Sequence, residues 1–137
     1  MKKSCVLIVE DNFETLALIQ VILAQAGFDV VTARNAETAL QLLGSLRPDA
    51  IVTDWRMPNM TGLDLIRAAR RLPHFSKIPM IILTGHTQDI QEDAIAAGAT
   101  AVLEKPDGTL RLRETLSRLL GERNDPAPRE KKNRSGK

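Results

Sequence analysis

Five polar side chains each stand just after a short apolar run. Glu10 and Asp11 follow CVLIV (5–9), Asp54 follows AIVT (50–53), Thr84 follows MIIL (80–83) and Lys105 comes soon after TAVL (100–103). Three carboxylates in one small cleft would force one of their number to take up a proton, because like charges disfavour joint ionisation. A hard divalent cation resolves that conflict, and a few carboxylates with backbone oxygens and waters suit Mg²⁺. Lys105 adds a further positive charge. Such a set is poised for a phosphoryl group: cation and ammonium neutralise its oxygens, a hydroxyl such as that of Thr84 hydrogen-bonds one, and a carboxylate attacks phosphorus. Asp54, alone after its run, fits the nucleophile, and Glu10 with Asp11 fits the cation arm.

Each residue also has an ordinary reading. Glu10 and Asp11 suit the first turn of a helix, where acids complement the macrodipole. A single threonine at a loop is commonplace, as is a solvated lysine. The chemistry therefore depends on whether the elements bring these groups to one edge.

Short apolar runs rich in Val and Ile lie at 5–9, 28–33, 50–53, 80–83 and 100–103. Apolar residues in succession mark strands buried on both faces, the habit of a parallel sheet. Between them the apolar spacing becomes helical. Leu16, Ile19, Leu23 and Ala26 share one face and Gly27 follows as a stop; Ala36, Ala39, Leu40 and Leu43 precede Gly44 and Pro48. Leu63, Ile66 and Ala69 mark a third helix ending before Pro73, and an Ala-rich fourth spans about 88–97 and closes at Gly98. The last carries Leu112, Leu116, Leu119 and Leu120 and is expected to stop at Gly121. Five strands alternating with five helices predict a (βα)5 chain, an α/β three-layer sandwich with right-handed crossovers. Ligands of open α/β sheets bind at the C-terminal strand ends, where all five polar residues fall.

The 137 residues suit one domain with a single core, built mainly from Leu, Ile, Val and Ala because aromatics make up only 3%. Cys5 is the sole cysteine and lies inside an apolar run, which points to a reducing compartment. The apolar stretch near the start is too short for a secretory signal, and no run approaches the roughly 20 residues that span a membrane, so a cytoplasmic protein is expected. The net charge of +2 is unevenly placed: residues 1–120 sum to −1 and 121–137 to +3. A folded domain over 1–121 and a disordered, charged tail over 122–137 are expected. The tail's mixed charges and lack of aromatics argue for a solvated linker rather than a nucleic-acid or lipid contact.

Over about residues 4–120 the chain resembles the receiver domain of two-component response regulators. The matching pieces are LIVEDN (7–12), AIVTDWRMPNMTGLDLI (50–66), PMIILTG (79–85) and GATAVLEKP (98–106). The resemblance implies a flavodoxin-like fold with strand order 2-1-3-4-5. It implies a signalling module, not an enzyme, whose Asp54 accepts a phosphoryl group from a sensor histidine kinase or phosphotransfer protein. Asp11, Asp54 and the backbone carbonyl of Arg56 would bind Mg²⁺, with Glu10 acting through water. Thr84 and Lys105 would contact the phosphoryl group, and the Lys105–Pro106 peptide bond would be cis. Arg56 and His86 would influence the lifetime of the phosphoryl group. A downstream protein partner is implied, as is homodimerisation through the face formed by the fourth helix, fifth strand and fifth helix.

Two departures from the family pattern stand out. Val102 occupies the position where receivers commonly carry a switch aromatic, so the response to phosphorylation is expected to centre on the loops after the third and fourth strands. No helix-turn-helix or catalytic domain follows residue 121, which suits either a single-domain regulator or one domain of a longer chain. A haloacid-dehalogenase-type aspartyl phosphatase would need an acid two residues after Asp54, where Arg56 stands. A flavodoxin-like electron carrier would need a Ser/Thr/Gly-rich phosphate loop where Glu10, Asp11 and Asn12 stand. A receiver-shaped scaffold that is never phosphorylated is the remaining alternative. His74, Trp55 and His86 are assigned to the surface.

Overall fold

A computed structural model describes residues 3–85 and 87–124. Five strands, β1 (Cys5–Val9), β2 (Asp29–Ala33), β3 (Ala50–Asp54), β4 (Met80–Thr84) and β5 (Ala101–Glu104), form one parallel sheet in the order β2-β1-β3-β4-β5. They alternate with α1 (Phe13–Gln25), α2 (Ala36–Leu42), α3 (Gly62–Arg70), α4 (Thr87–Ala97) and α5 (Asp107–Asn124), and a single 3₁₀ turn at Pro73–Phe75 precedes β4. The expected (βα)5 architecture and strand order are both present.

Alternation along the strands divides the core into two layers. Val6, Ile8, Val52, Ile81 and Leu83 pack with Leu16, Ile19 and Leu23 of α1 and Leu112, Leu116 and Leu120 of α5. The other face sets Leu7, Val9, Ile51, Met80 and Ile82 against Ala36 and Ala39 of α2, Leu65, Ile66 and Ala69 of α3, and Ile90 and Ala94 of α4. All four β1 residues from Val6 to Val9 are fully buried, as expected for a strand covered on both sides.

The helix starts are set locally. Asn12 caps α1, its side-chain oxygen accepting from Thr15 N at 2.8 Å, and Asn35 does the same for α2 through Thr38 N at 2.7 Å. Thr61 and Asp64 form a reciprocal capping box on α3. Asn12 takes the cap, so the capping reading of Glu10 and Asp11 falls away. Gly27, at φ 96°, ends α1 in the left-handed region that favours glycine.

The last helix differs from its expectation. It does not stop at Gly121 but runs through it to Asn124. Glycine in a right-handed turn costs only about 1 kcal/mol, and the following Glu122 and Arg123 are good helix formers. The remainder of the tail expected to be disordered, 125–137, lies outside the described residues, and so does His86.

Candidate functional site

The strand order reverses between β1 and β3, which makes their C-terminal ends the mouth of a cleft. Val9 pairs with Thr53, Asp54 with Leu83 and Thr84 with Glu104, so the residues after β1 and the last residues of β3 and β4 reach one edge. Asp54 is held there from several sides. Trp55 N–H donates to Asp54 Oδ1 at 3.0 Å, and the Thr53 hydroxyl donates to the Asp54 carbonyl at 2.9 Å. Gly62, the first residue of α3, lies against that carbonyl so closely that a Cβ would collide with it. Asn59 turns the intervening loop at φ 72°, a conformation asparagine tolerates.

Glu10, Asp11 and Asp54 bring carboxylate oxygens within 4.8 Å of one another. Lys105 reaches across from the end of β5, with Nζ 3.0 Å from Asp54 Oδ1 and 3.3 Å from Glu10 Oε1. The peptide bond between Lys105 and Pro106 is cis, and Lys105 N–H donates to the Thr84 carbonyl at 2.7 Å, tying the two strand ends together. Burial pushes the Glu10 carboxyl above the usual range; the Asp54 charge adds to the rise, while the Asn12 N–H bond and Lys105 oppose it. Burial alone would lower Lys105, but its hydrogen bonds and charge pairing with Asp54 and Glu10 outweigh that, and its pKa is raised.

Thr84 is 2% exposed and lines, with Asp54, Trp55, Arg56 and Gly85, a cavity of about 340 Å³. A second cavity of about 520 Å³ is lined by Asp11, Trp55, Arg56, Met57, Pro58 and Thr61. The structure thus brings Glu10, Asp11, Asp54, Thr84 and Lys105 together, with Arg56 at the rim. Arg56 directs its guanidinium onto the Trp55 ring, with Cζ 4.8 Å from the ring centroid.

Trp55 is the residue sequence reasoning undervalued. Assigned to surface packing from the sequence, it is half-buried, packs against the core and lines both cavities. An aromatic followed by arginine directly after the reactive acid was the available signal. His74 is exposed, as expected. Among the described residues, no helix is long and apolar enough to cross a membrane.

The sequence profile of the response regulator receiver domain matches residues 6–117. The chain is 33% identical to the chemotaxis protein CheY of Pseudomonas aeruginosa, covering 83% of this chain and 94% of that one. It is 32% identical to the polar-differentiation response regulator DivK of Brucella anthropi, covering 89% and 99%. Among solved structures it resembles the receiver domain of a sensor histidine kinase from Pseudomonas aeruginosa, with a TM-score of 0.80, 29% identity and coverage of 88% and 99%. That protein holds a magnesium ion in its active site cleft.

Proposed function

Since the chain belongs to the response regulator receiver domain family, we propose that it is a phosphorylation-controlled signalling module that takes a phosphoryl group onto Asp54. The observation that carries this reading is the pairing of Asp54 with Lys105 at 3.0 Å inside a cluster of three carboxylates. Oxygens this close, one of them on a carboxyl that burial makes hard to ionise, fit a divalent cation that relieves their repulsion. Asp11, Asp54 and the Arg56 backbone carbonyl would hold Mg²⁺, with Glu10 acting through water. Bound there, Mg²⁺ supplies positive charge that neutralises phosphoryl oxygens.

The chain's own residues divide the remaining work. Asp54 presents an anionic oxygen to phosphorus in line with the departing nitrogen of a phosphohistidine; the new P–O bond forms as the P–N bond breaks, and that electron pair leaves with the imidazole. Lys105 Nζ steadies a phosphoryl oxygen, and the Thr84 hydroxyl donates to another. The donor is a sensor histidine kinase or phosphotransfer protein, and the readout is contact with a downstream protein or a second copy through the α4–β5–α5 face. The protein turns over no separate substrate, so it is not an enzyme, and it works in the cytoplasm without nucleic acid or membrane.

Intact mass after incubation with acetyl phosphate, with and without Mg²⁺, tests the reading in wild type and Asp54→Asn. A single adduct that needs Mg²⁺ and vanishes in the variant is expected. No adduct under any condition would sink the proposal and leave a phosphorylation-independent scaffold.

A further inference from the structure

Arg34 stands between two fixed residues. Ala33 ends β2, is buried and pairs with Val9, and Asn35 caps α2. From there the Arg34 side chain reaches back over the loop between β1 and α1. One guanidinium nitrogen donates to the Asp11 carbonyl at 3.3 Å, and Cζ lies 5.5 Å from the centroid of the Phe13 ring. A cation at that distance is attracted by the ring quadrupole, and a planar guanidinium can stack and donate at once. Phe13 is 67% exposed, so core packing does not explain the ring at the start of α1.

The residues of that loop are held one by one. Glu10 N–H donates to the Ala33 carbonyl at 3.1 Å, and Asn12 N–H donates to Glu10 Oε2 at 3.0 Å. Asn12 in turn accepts from Thr15 N and Leu16 N. Asp11 lies between them, and Arg34 binds its backbone. Lys105 pairs with the other two carboxylates of the cluster, Glu10 and Asp54, but among the described residues no ion pair involves Asp11 or Arg34. The place of the Asp11 carboxylate is therefore set by the backbone that carries it.

We propose that Arg34 is a positioning residue for the cation arm of the cleft. Clamped between the Phe13 ring and the Asp11 carbonyl, it keeps the Asp11 carboxylate facing Glu10 and Asp54 and so tightens Mg²⁺ binding, although its own charge opposes the ion. The inference rests on the reading of this cluster as a Mg²⁺ site. Arg34 is exposed, so water and salt screen its repulsion of the ion. Fixing a ligand before the ion arrives removes an ordering cost from binding.

The test is the Mg²⁺ dissociation constant at fixed ionic strength. It is read from the fluorescence of Trp55, the chain's one tryptophan, which lines both cavities, and checked by calorimetry. Wild type is compared with Arg34→Met, Phe13→Leu, Phe13→Tyr and the Phe13→Leu/Arg34→Met double variant. Thermal melts without Mg²⁺ separate loss of positioning from loss of fold. Arg34→Met and Phe13→Leu should each weaken binding about two- to five-fold, the scale of one exposed cation–π contact. Phe13→Tyr, which keeps a π face, should bind like wild type, and the double variant should lose no more than either single. Unchanged or tighter binding in Arg34→Met would overturn the proposal, the second because it would mean that charge repulsion outweighs positioning. So would wild-type affinity in Phe13→Leu, single effects that multiply in the double variant, or affinities that fall only as far as the melts do. A wild type that binds no Mg²⁺ by either method would instead overturn the cation-site reading on which the inference rests.

Discussion

Lys105 holds its ammonium nitrogen 3.0 Å from Asp54 Oδ1, although β4 separates their two strands in the sheet. The same nitrogen lies 3.3 Å from Glu10 Oε1, and Glu10 is 1% exposed. One cation thus compensates two carboxylates that have left most of their water behind. Removing it leaves the two facing each other unpaired. Lys105→Met should destabilise the Mg²⁺-free protein by about 1–3 kcal/mol. Mg²⁺ should then raise the urea midpoint of the variant more than that of the wild type. Equal increments would show that Lys105 is not part of the charge balance.

The cluster also sets a pH dependence. The folded pKa of Glu10 is raised, chiefly by burial, so the native state binds more protons than the unfolded chain in the window above the ordinary carboxylate value. Its contribution to stability is fully present below that ordinary value and is lost as pH rises through the folded one. Cation binding needs the ionised carboxylate, so acidification acts on the Mg²⁺-bound form in the opposite sense. Thermal melts from neutral to mildly acid pH should show the Mg²⁺-induced gain shrinking as Glu10 protonates. Glu10→Gln should flatten that trend. Lys105, whose pKa is raised, stays charged throughout and loses its contribution only as pH rises through its own folded value.

Two glycines in helices should respond oppositely to alanine. A Cβ on Gly62 would strike the Asp54 carbonyl, so Gly62→Ala must displace either α3 or the reactive residue. A loss of about 1–3 kcal/mol is expected, with slower adduct formation from acetyl phosphate. At Gly121 a Cβ meets nothing within 4 Å, and the backbone is helical. Gly121→Ala should therefore stabilise by roughly 0.5–1 kcal/mol and leave phosphorylation unaltered. Chemical denaturation of both variants checks the pair.

Far from the cleft, at the opposite ends of the strands, Arg70 ties α3 to two loops. Its guanidinium donates to the carbonyls of Phe75 (2.9 Å), Ile78 (2.7 Å) and Gly98 (2.8 Å and 3.0 Å). Arg70→Met keeps much of the volume but strips these carbonyls of their partner. A loss of about 2–4 kcal/mol is expected from unmet hydrogen bonds. Adduct formation per folded molecule should not change, and a slower rate would mean that the two sheet edges communicate.

Val102 is half-buried on β5, paired with Ile82 and packed against the core beside α4. A short β-branched side chain there has little room to change rotamer. Chemical-shift mapping with a beryllium fluoride phosphoryl mimic should therefore place the largest changes in the loops after β3 and β4. Changes centred on Val102 and α5 would contradict this.

Much of this was legible along the chain. Short apolar runs and intervening helical spacing marked all five strands and all five helices, because hydrophobic period is a property of residues close in sequence, although the edge strands β2 and β5 are only partly buried. The polar residues at the strand ends announced themselves by the abrupt end of each apolar run, and the motifs around Asp54 carried the family. Register and burial decided the rest. Only the folded sheet shows that Asn12 takes the helix cap and leaves Glu10 and Asp11 to the cleft, that Lys105 serves two carboxylates at once, and that Trp55 holds Arg56 at its rim. Gly121 shows the same limit in reverse: a residue that stops α1 when its φ is positive continues α5 when it is not. Contacts between side chains distant in sequence depend on which strands are neighbours and how far each is shifted, and no local pattern encodes that.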